Sequence, residues 1–289
     1  MSLMLDMLYS LQTFTPLWWG SLVILGLCIG SFLNVVIHRL PIMLKNNKHH
    51  EFNLCIPRSY CPHCHHSLKW HDNIPIFSWF LLKAQCRHCQ NKISLRYPMI
   101  ELATVALTLF ISMIIPAGYT LLAALVFTWV LIALTAIDIE HLLLPDNLTL
   151  SLLWGGLIFH LFDQTLALSD AVIGAVGGYL VLWCLYWAFW LTTHREALGY
   201  GDFKLLAALG AWLGWMELPA LLLIASLAGS SFTFIAHLLR NRPLSAPLPF
   251  GPFLALAGWL LFLHHYHAIN EDNILSFHVT PSFIGKISQ

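Results

Sequence analysis

The sequence predicts an all-α, polytopic membrane protein. Of its 289 residues, 58% are hydrophobic and only 10% are charged, whereas roughly a quarter of the residues in an ordinary soluble protein are charged. Runs of about twenty mostly apolar residues recur, each long enough to cross the roughly 30 Å hydrocarbon core of a bilayer as a helix. This composition excludes a disordered chain, a collagen and a secreted disulfide scaffold. Fourteen basic and fourteen acidic residues cancel, so no polycationic surface indicates a nucleic-acid partner.

About eight apolar segments are predicted to be transmembrane helices. The first, residues 17–37, is interpreted as a retained helix and not a signal peptide, because no stretch of small residues offers a cleavage site. The segment 203–215 is short for a crossing, so we expect it to be tilted, partly re-entrant or continuous with the loop before it. The other six segments are residues 98–115, 119–137, 148–162, 170–191, 218–239 and 249–267.

The basic residues predict the orientation of these helices. Nine of the fourteen lie between Arg39 and Arg96, and an eight-helix count puts four more on the same side of the membrane. Since positive loop charges resist translocation, the loop is predicted to be cytoplasmic and both termini to lie outside. The chain is therefore divided into a first transmembrane helix (1–38), a small cytoplasmic loop domain (39–97) and a polytopic membrane domain (98–289).

Four cysteines in the loop domain form a predicted metal site. They lie in two C-x-x-C knuckles, Cys61-Pro-His-Cys64 and Cys86-Arg-His-Cys89, separated by 21 residues. Each knuckle can place two thiolates around a tetrahedral zinc ion, and the spacing lets the chain return to close a four-sulfur site. A reducing cytoplasm makes disulfide or redox use the weaker interpretation. A closed site has no open coordination position, so we expect structural zinc that folds this short loop domain.

The histidines beside the knuckles leave two interpretations open. Solvated loop histidines are favoured over an alternative Cys/His ligand set, and the residues concerned are His63, His65, His66 and His88. Cys28, Cys55 and Cys184 have no C-x-x-C partner. Cys28 and Cys184 fall in apolar runs, where we expect packing residues.

Two aspartates are predicted to lie at cytoplasmic helix ends, where they can meet. Asp138 follows one apolar span, and Asp202 follows another within Gly199-Tyr-Gly-Asp-Phe-Lys204. Ionisable groups at membrane depth are costly and are candidates for function. Two close carboxylates do not both ionise readily, so one can activate water while the other protonates a peptide carbonyl. With Gly199 and Gly201 expected to permit unusual backbone angles, this arrangement indicates an intramembrane-type aspartyl protease.

The residues alone leave other interpretations open. Asp138 and Asp202 could merely cap helices or pair with Lys204 and Arg195. A polytopic transporter or channel with a zinc-stapled loop would use them to bind cations or relay protons, and a non-enzymatic membrane scaffold would not use them at all. Other acids on this face receive lesser roles, a helix N-cap for Asp146 and attraction of positive charge or solvation for Glu140 and Glu196.

Motifs along nearly the whole chain resemble the type IV prepilin peptidase family, the bifunctional leader peptidase and N-methyltransferase of type IV pilus and type II secretion systems. Jointly these motifs are highly specific. They are Gly30-Ser-Phe-Leu-Asn-Val-Val-Ile-His-Arg-Leu-Pro41, both knuckles, Asn73-Ile-Pro75, Ile93-Ser-Leu-Arg-Tyr-Pro-Met-Ile-Glu101, Ile137-Asp138 with Leu144-Pro-Asp146, Gly199-Tyr-Gly-Asp-Phe-Lys-Leu-Leu206 and Pro249-Phe-Gly-Pro252.

The resemblance implies an enzyme of the bacterial inner membrane whose catalytic residues are Asp138 and Asp202. It implies cleavage at the cytoplasmic face after the Gly that ends a short basic leader, then methylation of the new N-terminal residue, usually Phe, from S-adenosylmethionine. Prepilins and pseudopilins would be the substrates, with their apolar helix in the bilayer. Supporting or substrate-binding positions fall on Gly199, Gly201, Glu140 and Lys204.

The motif that the family links with methyl transfer is matched less closely than the other motifs. Leu82-Lys-Ala-Gln-Cys86 has Ala84 and Gln85 where the family usually has a Gly and then a basic residue, and the family links this Gly with methylation. A peptidase without methyl transfer is therefore the alternative, and Ala84 would be strained in a left-handed conformation. We expect the methyl-donor site between the zinc loop and the membrane surface, with Glu101 either contributing to it or pairing with Arg96. Close helix packing, not a nucleotide loop, is assigned to Gly174, Gly177 and Gly178.

Overall fold

The computed structural model describes residues 15–45, 53–56, 58–163, 165–194, 199–240 and 248–279. Within these ranges the chain is helical apart from turns and loops, and its strand-like pairing is confined to two isolated bridges. The predicted all-α class is confirmed. The described residues fall into two compact units that divide between Leu148 and Thr149.

The first unit is built on one long helix. Its helices are α1 (Thr15–Lys45), α2 (Phe77–Leu81), α3 (Arg96–Ile114) and α4 (Tyr119–His141), with a 3₁₀ turn at Trp70–Asn73. Helix α1 packs against both α3 and α4. Two glycines allow its close approach to α3, because a Cβ atom would lie 2.9 Å from Val105 Cα at Gly26 and 2.8 Å from Glu101 Cα at Gly30.

Helix α1 continues beyond the predicted end of its apolar run at residue 37. It passes through Pro41 and ends at Lys45. Arg39 is only 6% exposed, and its guanidinium Nη1 donates hydrogen bonds of 3.0 and 3.3 Å to the carbonyls of Asn53 and Leu54. These backbone acceptors satisfy a buried charge that would otherwise be costly, so the helix extends past the point where hydrophobicity ends.

The second unit surrounds one short helix. Its helices are α5 (Asp146–Phe162), α6 (Leu168–Thr193), α7 (Tyr200–Leu213), α8 (Leu218–Arg240) and α9 (Gly251–Val279). Helix α7 is buried along nearly its whole length and packs against α6 and α9. A Cβ atom at Gly174 would lie 2.3 Å from the carbonyl oxygen of Gly210, and one at Gly178 would lie 2.7 Å from that of Leu206. Close helix packing at these glycines is therefore confirmed.

Trp212 joins α5 to α7 by hydrogen bonds as well as by packing. Its indole Nε1 donates to the Leu152 carbonyl at 2.8 Å, and its own carbonyl oxygen lies 3.1 Å from His160 Nε2. The Trp212 ring stacks on Phe159, with ring centroids 5.4 Å apart. A buried indole N–H needs such a partner, so the tryptophan fixes the register of the two helices.

Helices occupy all eight positions that were predicted to span a membrane. Among the described residues, five are long and apolar enough to cross by length and composition, namely Thr15–Lys45, Arg96–Ile114, Tyr119–His141, Leu168–Thr193 and Leu218–Leu239. Helix α7 has 14 residues, about 21 Å at 1.5 Å per residue, and it begins three residues before the apolar run. The segment is thus short and continuous with the preceding loop residues, as predicted. The chain is a multi-pass membrane protein.

Candidate functional site

The two knuckles of the loop domain adopt the same local structure. In the first, His65 N–H donates to Cys61 O at 2.9 Å, and in the second, Gln90 N–H donates to Cys86 O at 2.9 Å. Both donors have left-handed φ angles, 54° for His65 and 56° for Gln90. An isolated bridge closes each knuckle, at Tyr60↔Ser67 and Gln85↔Lys92. Each C-x-x-C sequence therefore turns back on itself and presents its two sulfurs on one side.

The four knuckle sulfurs form one cluster that could hold a metal ion. All four Sγ atoms lie within 4.8 Å of one another, with Cys61 and Cys89 3.8 Å apart and Cys64 and Cys86 4.0 Å apart. A tetrahedral zinc site with Zn–S bonds of about 2.3 Å has sulfur–sulfur edges of about 3.8 Å, so the cluster fits zinc. The cysteines are free thiols, and the separations far exceed a disulfide bond of about 2.05 Å.

The cluster favours thiolate at one of its members. Backbone N–H groups of Cys89 and His88 lower the pKa of the Cys86 thiol to about 7. Around Cys89, the Asn91 N–H favours the thiolate, but burial and the neighbouring sulfurs outweigh it and raise the pKa of Cys89 to about 11. The closeness of the four sulfurs thus opposes the build-up of negative charge on them, and a bound metal cation would relieve this opposition.

Among the described residues, the group that could hold a metal ion consists of the four cysteines, and the nearby histidines are not part of it. The rings of His66 and His88 contact each other with centroids 3.5 Å apart. His63, His65, His66 and His88 are all exposed, as favoured from the sequence. Exposure also corrects the prediction for Cys28 and Cys184, which lie on outer helix faces and are not buried packing residues.

A cavity of about 510 Å³ lies inside the first unit, between the knuckles and the membrane helices. Three carboxylates line it, and two of them pair with arginine. Asp72 accepts hydrogen bonds of 3.0 and 2.7 Å from Arg87, and Glu140 pairs with Arg96. Although burial opposes the charge of Asp72, the Arg87 hydrogen bonds hold its pKa below the usual range.

The third carboxylate, Glu101, is 7% exposed and holds the loop at a strained turn. Its Oε2 accepts a 2.7 Å hydrogen bond from the Ile76 N–H. Ile76 has φ 60° and ψ −53°, and Phe77 N–H donates to Pro75 O at 2.6 Å, which defines a γ-turn that is rare for a β-branched residue. The predicted alternative pairing of Glu101 with Arg96 is wrong, because Arg96 pairs with Glu140 instead.

Ala84 occupies the left-handed conformation that would strain it. Lys83 has φ 50° and Ala84 has φ 60°. Lys83 N–H donates to Phe80 O at 3.0 Å and Ala84 N–H to Trp79 O at 2.8 Å, which is the Schellman pattern that ends a helix, with Lys83 at C′ and Ala84 at C″. Glycine suits position 84 because the φ angle of Ala84 is itself left-handed. Sequence reasoning identified Ala84 by its departure from the family pattern, and the backbone supplies the physical reason why glycine suits this position.

Asp138 lies near the end of α4 in the first unit. It is 5% exposed, and its carbonyl accepts the N–H of Leu142, whose left-handed conformation (φ 51°) terminates the helix. Glu140, an exposed residue two positions further on, pairs with Arg96. Asp146, expected to be an N-cap, is the first residue of α5 and is exposed.

Asp202 lies in the first turn of α7 in the second unit and is 8% exposed. Its N–H donates to Gly199 O at 3.1 Å, and a Cβ atom at Gly199 would lie 3.6 Å from Asp202 Oδ2. Gly199 has φ −79° and ψ 144° and Gly201 is helical, so the expected unusual backbone angles are absent at both glycines. Lys204 is half-buried on the same helix. The predicted roles of Arg195 and Glu196 lie outside the described residues.

Comparisons with known proteins agree with the motifs. The model of the bacterial peptidase A24 N-terminal domain matches residues 24–115, and that of the type IV leader peptidase family matches residues 125–234. No solved structure matches the chain at a significant level.

Curated relatives match over most of their own length. "Prepilin leader peptidase/N-methyltransferase" of Aeromonas hydrophila is 52% identical, covering 91% of this chain and 95% of the relative. Proteins of the same name from Pectobacterium carotovorum subsp. carotovorum (49% identical, covering 86% and 93%) and Dickeya chrysanthemi (48%, covering 88% and 95%) are also similar. At this identity and coverage, the chain belongs to the type IV leader peptidase family.

Proposed function

We propose that this chain removes the leader peptide from type IV prepilins and type II secretion pseudopilins and then methylates the new N-terminus. The observation that carries the peptidase half is the burial of two helix-end aspartates in a multi-pass membrane protein, Asp138 at 5% exposure and Asp202 at 8%. Burying two carboxylates is costly, and carboxylates at membrane depth are candidates for function.

The proposed cleavage is water addition assisted by an acid and a base. Asp202 lies in a first helical turn, where the helix dipole stabilises negative charge, so we assign it the ionised base that takes a proton from water. Asp138 is then the acid that protonates the peptide carbonyl oxygen as the water oxygen bonds to the carbonyl carbon. When the intermediate collapses, the carbon–nitrogen bond breaks, the leaving nitrogen takes the proton from Asp202, one hydroxyl group returns its proton to Asp138, and a carboxylic acid and a free amine result. The mechanism requires both carboxylates to act on the same peptide bond.

Four further residues are proposed to support this step. The space beside Asp202 that Gly199 leaves open suits the approach of an extended peptide, and Gly201 and Lys204 lie on the same helix turn. Glu140, close to Asp138 in sequence, would contribute with the other acids to attracting a basic leader. We place this face in the cytoplasm and both termini in the periplasm, since thirteen of fourteen basic residues favour that orientation.

Methyl transfer is proposed for the loop domain of residues 39–97 together with α3. S-adenosylmethionine would supply an electrophilic methyl group on its sulfonium. The new N-terminal amine attacks that carbon, the carbon–sulfur bond breaks, the amine loses one proton, and S-adenosylhomocysteine leaves as a neutral thioether. Zinc held by the four cysteines would fold the loop, because a closed thiolate site has no open coordination position.

Separate substitution of the two aspartates tests the peptidase half. We expect Asp138→Asn and Asp202→Asn each to lower the rate of prepilin cleavage at least about a thousandfold, the scale on which members of a catalytic unit act. Asp163→Asn is the matched control, because Asp163 is equally buried, at 7% exposure, and has no proposed catalytic role. Intact processing by either catalytic variant would contradict the proposal and favour a transporter or scaffold.

Transfer of a labelled methyl group to an already cleaved pilin tests the other half independently of cleavage. We expect labelled N-methyl product from wild-type protein. The left-handed Ala84 is the specific observation that favours the alternative of a peptidase without methyl transfer. Normal cleavage without any label on the product would establish that alternative.

A further inference from the structure

The cavity of the first unit contains one carboxylate whose charge is not matched by an arginine. Asp72 pairs with Arg87 and Glu140 with Arg96. Within the described residues, the partners of Glu101 are two neutral donors, the Ile76 N–H and the Asn34 amide. A buried carboxylate is favoured by a cation or by charge-assisted hydrogen bonds. Glu101 therefore offers a place for a positively charged group.

Two residues that line the cavity each carry a buried polar atom with no hydrogen-bond partner in the described part of the chain. These atoms are the Asn34 side-chain oxygen Oδ1, an acceptor, and the Arg96 Nε, a donor. Asn34 is only 4% exposed, and most buried polar atoms find a partner. Both residues lie where α1 packs against α3, and Asn34 Nδ2 donates a 3.1 Å hydrogen bond to the carbonyl of Tyr97, the residue that follows Arg96. The residues that line the cavity thus include two acceptors, the Glu101 carboxylate and Asn34 Oδ1, and an unused donor, Arg96 Nε.

We infer that this cavity binds the amino-acid end of the methyl donor, with its ammonium on Glu101 and Asn34 and its carboxylate on Arg96. An α-amino acid carries an ammonium and a carboxylate on one carbon atom, which matches the two kinds of unsatisfied group. The inference rests on the proposed methyl transfer and specifies where its donor is recognised. A volume of about 510 Å³ lies within the range of about 300–1,000 Å³ typical of small-molecule sites, which leaves space for the nucleoside.

A second ammonium in the proposed reaction belongs to the cleaved pilin. Its amine would also suit Glu101, and the carbonyl next to it could accept a hydrogen bond from Arg96 Nε, but as a neutral peptide oxygen. Because a carboxylate forms the stronger, charge-assisted hydrogen bond, Arg96 Nε favours the free amino acid. Binding of the pilin amine by Glu101 is therefore the alternative, and the peptide experiment below distinguishes it.

Isothermal titration of the full-length protein in nanodiscs tests the inference with nucleoside ligands that differ only at this end. S-adenosylhomocysteine carries the amino acid, and 5′-methylthioadenosine lacks it. S-adenosylmethionine carries the carboxylate, and its decarboxylated form keeps only the ammonium. We expect wild-type protein to prefer the complete member of each pair by about tenfold or more, since hydrogen bonds to charged groups have this value. Equal affinity within both pairs would overturn the inference without any variant.

Two conservative variants test which residue is responsible for the preference within each ligand pair. Glu101→Gln keeps an oxygen for the Ile76 N–H but removes the charge, and it should reduce the preference for S-adenosylhomocysteine to below about threefold. Arg96→Lys keeps the charge opposite Glu140 but removes Nε, and it should reduce the preference for S-adenosylmethionine over its decarboxylated form. Ser112→Ala, at the other end of α3, is the control that should keep both preferences. Thermal unfolding establishes that each variant is folded, and wild-type ratios in both folded variants would overturn the inference.

A peptide with a free N-terminal Phe, compared with its N-acetyl form, distinguishes the other ammonium. If Glu101→Gln weakens binding of the free peptide and leaves S-adenosylhomocysteine unchanged, Glu101 belongs to the acceptor and the inference is wrong. Methyl transfer is measured in a separate assay. Transfer by wild-type protein together with equal ligand affinities would refute this inference alone, whereas absence of transfer would refute the proposed methyltransferase.

Discussion

The two units bury their aspartates in different kinds of surroundings. In the first, Asp138 shares a unit with a polar cavity, two arginine–carboxylate pairs, a strained turn and a four-sulfur cluster. In the second, Asp202 lies in the first turn of α7, and the backbone of this helix lies so close to α6 that a single added methyl group would collide with it. Glycines let helices approach closely in both units, but among the described residues the four-sulfur cluster, which we propose holds a metal, belongs to the first unit. Each should therefore fail under a different perturbation.

Loss of a knuckle sulfur should give the largest effect and confine it to the first unit. Structural zinc contributes about 10–16 kcal/mol to small zinc domains, so Cys61→Ser should lower bound zinc after dialysis from about one ion per chain to near none. Hydrogen exchange of residues 58–95 should rise, while that of α6 and α7 stays unchanged.

Cys55→Ser is the matched control, because Cys55 is an exposed thiol of the same loop. Unchanged zinc stoichiometry in Cys61→Ser would refute the metal site. Increased exchange throughout the second unit would refute the separation of the two units.

An added methyl group at the α6–α7 contact should destabilise the second unit in turn. Gly174→Ala places a Cβ atom 2.3 Å from a backbone oxygen, and overpacking of this kind costs about 1–3 kcal/mol. We expect a lower unfolding temperature in nanodiscs and faster hydrogen exchange in α7, with zinc content unchanged. Gly177→Ala is the control, because its Cβ atom would meet only the end of the Leu218 side chain at 3.4 Å. Equal unfolding temperatures for both variants would contradict the close-packing account.

Relief of strain at Ala84 should change stability least of the three perturbations. It should stabilise the protein, whereas the two changes above destabilise it. A left-handed conformation costs a non-glycine residue about 1–2 kcal/mol, so Ala84→Gly should stabilise the loop domain by about 1 kcal/mol. Slower hydrogen exchange of the loop would report it. Ala103→Gly, on an exposed helical position of α3, should destabilise by about the same amount. Faster loop exchange in Ala84→Gly would show that the left-handed conformation is not under strain.

Much of the fold could be predicted because apolar length and glycine spacing act locally. The positions of the helices, the four-cysteine cluster and the close approach at Gly174 and Gly178 follow from such signals. The exposure of Cys28 and Cys184 did not, because lipid is as apolar as a protein core and hydrophobicity cannot distinguish the outer face of a membrane helix from the inner one. The catalytic pairing of Asp138 and Asp202 stays a prediction for the variants above to test.

Features that depend on distant partners were beyond the sequence. Helix α1 extends past residue 37 because Arg39 finds carbonyls in the loop, and Arg96 selects Glu140, 44 residues away, in preference to Glu101. The γ-turn at Ile76 likewise requires the Glu101 carboxylate, 25 residues further on. The one sign of this turn in the sequence was the Asn73-Ile-Pro75 motif. Proline favours a turn but does not specify this rare type.

The length of α1 bears on how a water-borne metabolite and a lipid-held helix could both reach the cavity of the first unit. Its 31 residues make a rod of about 46 Å at 1.5 Å per residue, roughly 16 Å longer than the hydrocarbon core. Asn34 stands about 29 Å above Thr15 along this rod, near the boundary where lipid tails give way to water if the helix enters the bilayer at its first turn. A cavity at that height would be open to a charged, water-borne metabolite that cannot dissolve in lipid, and also to a lipid-held helix that cannot leave it.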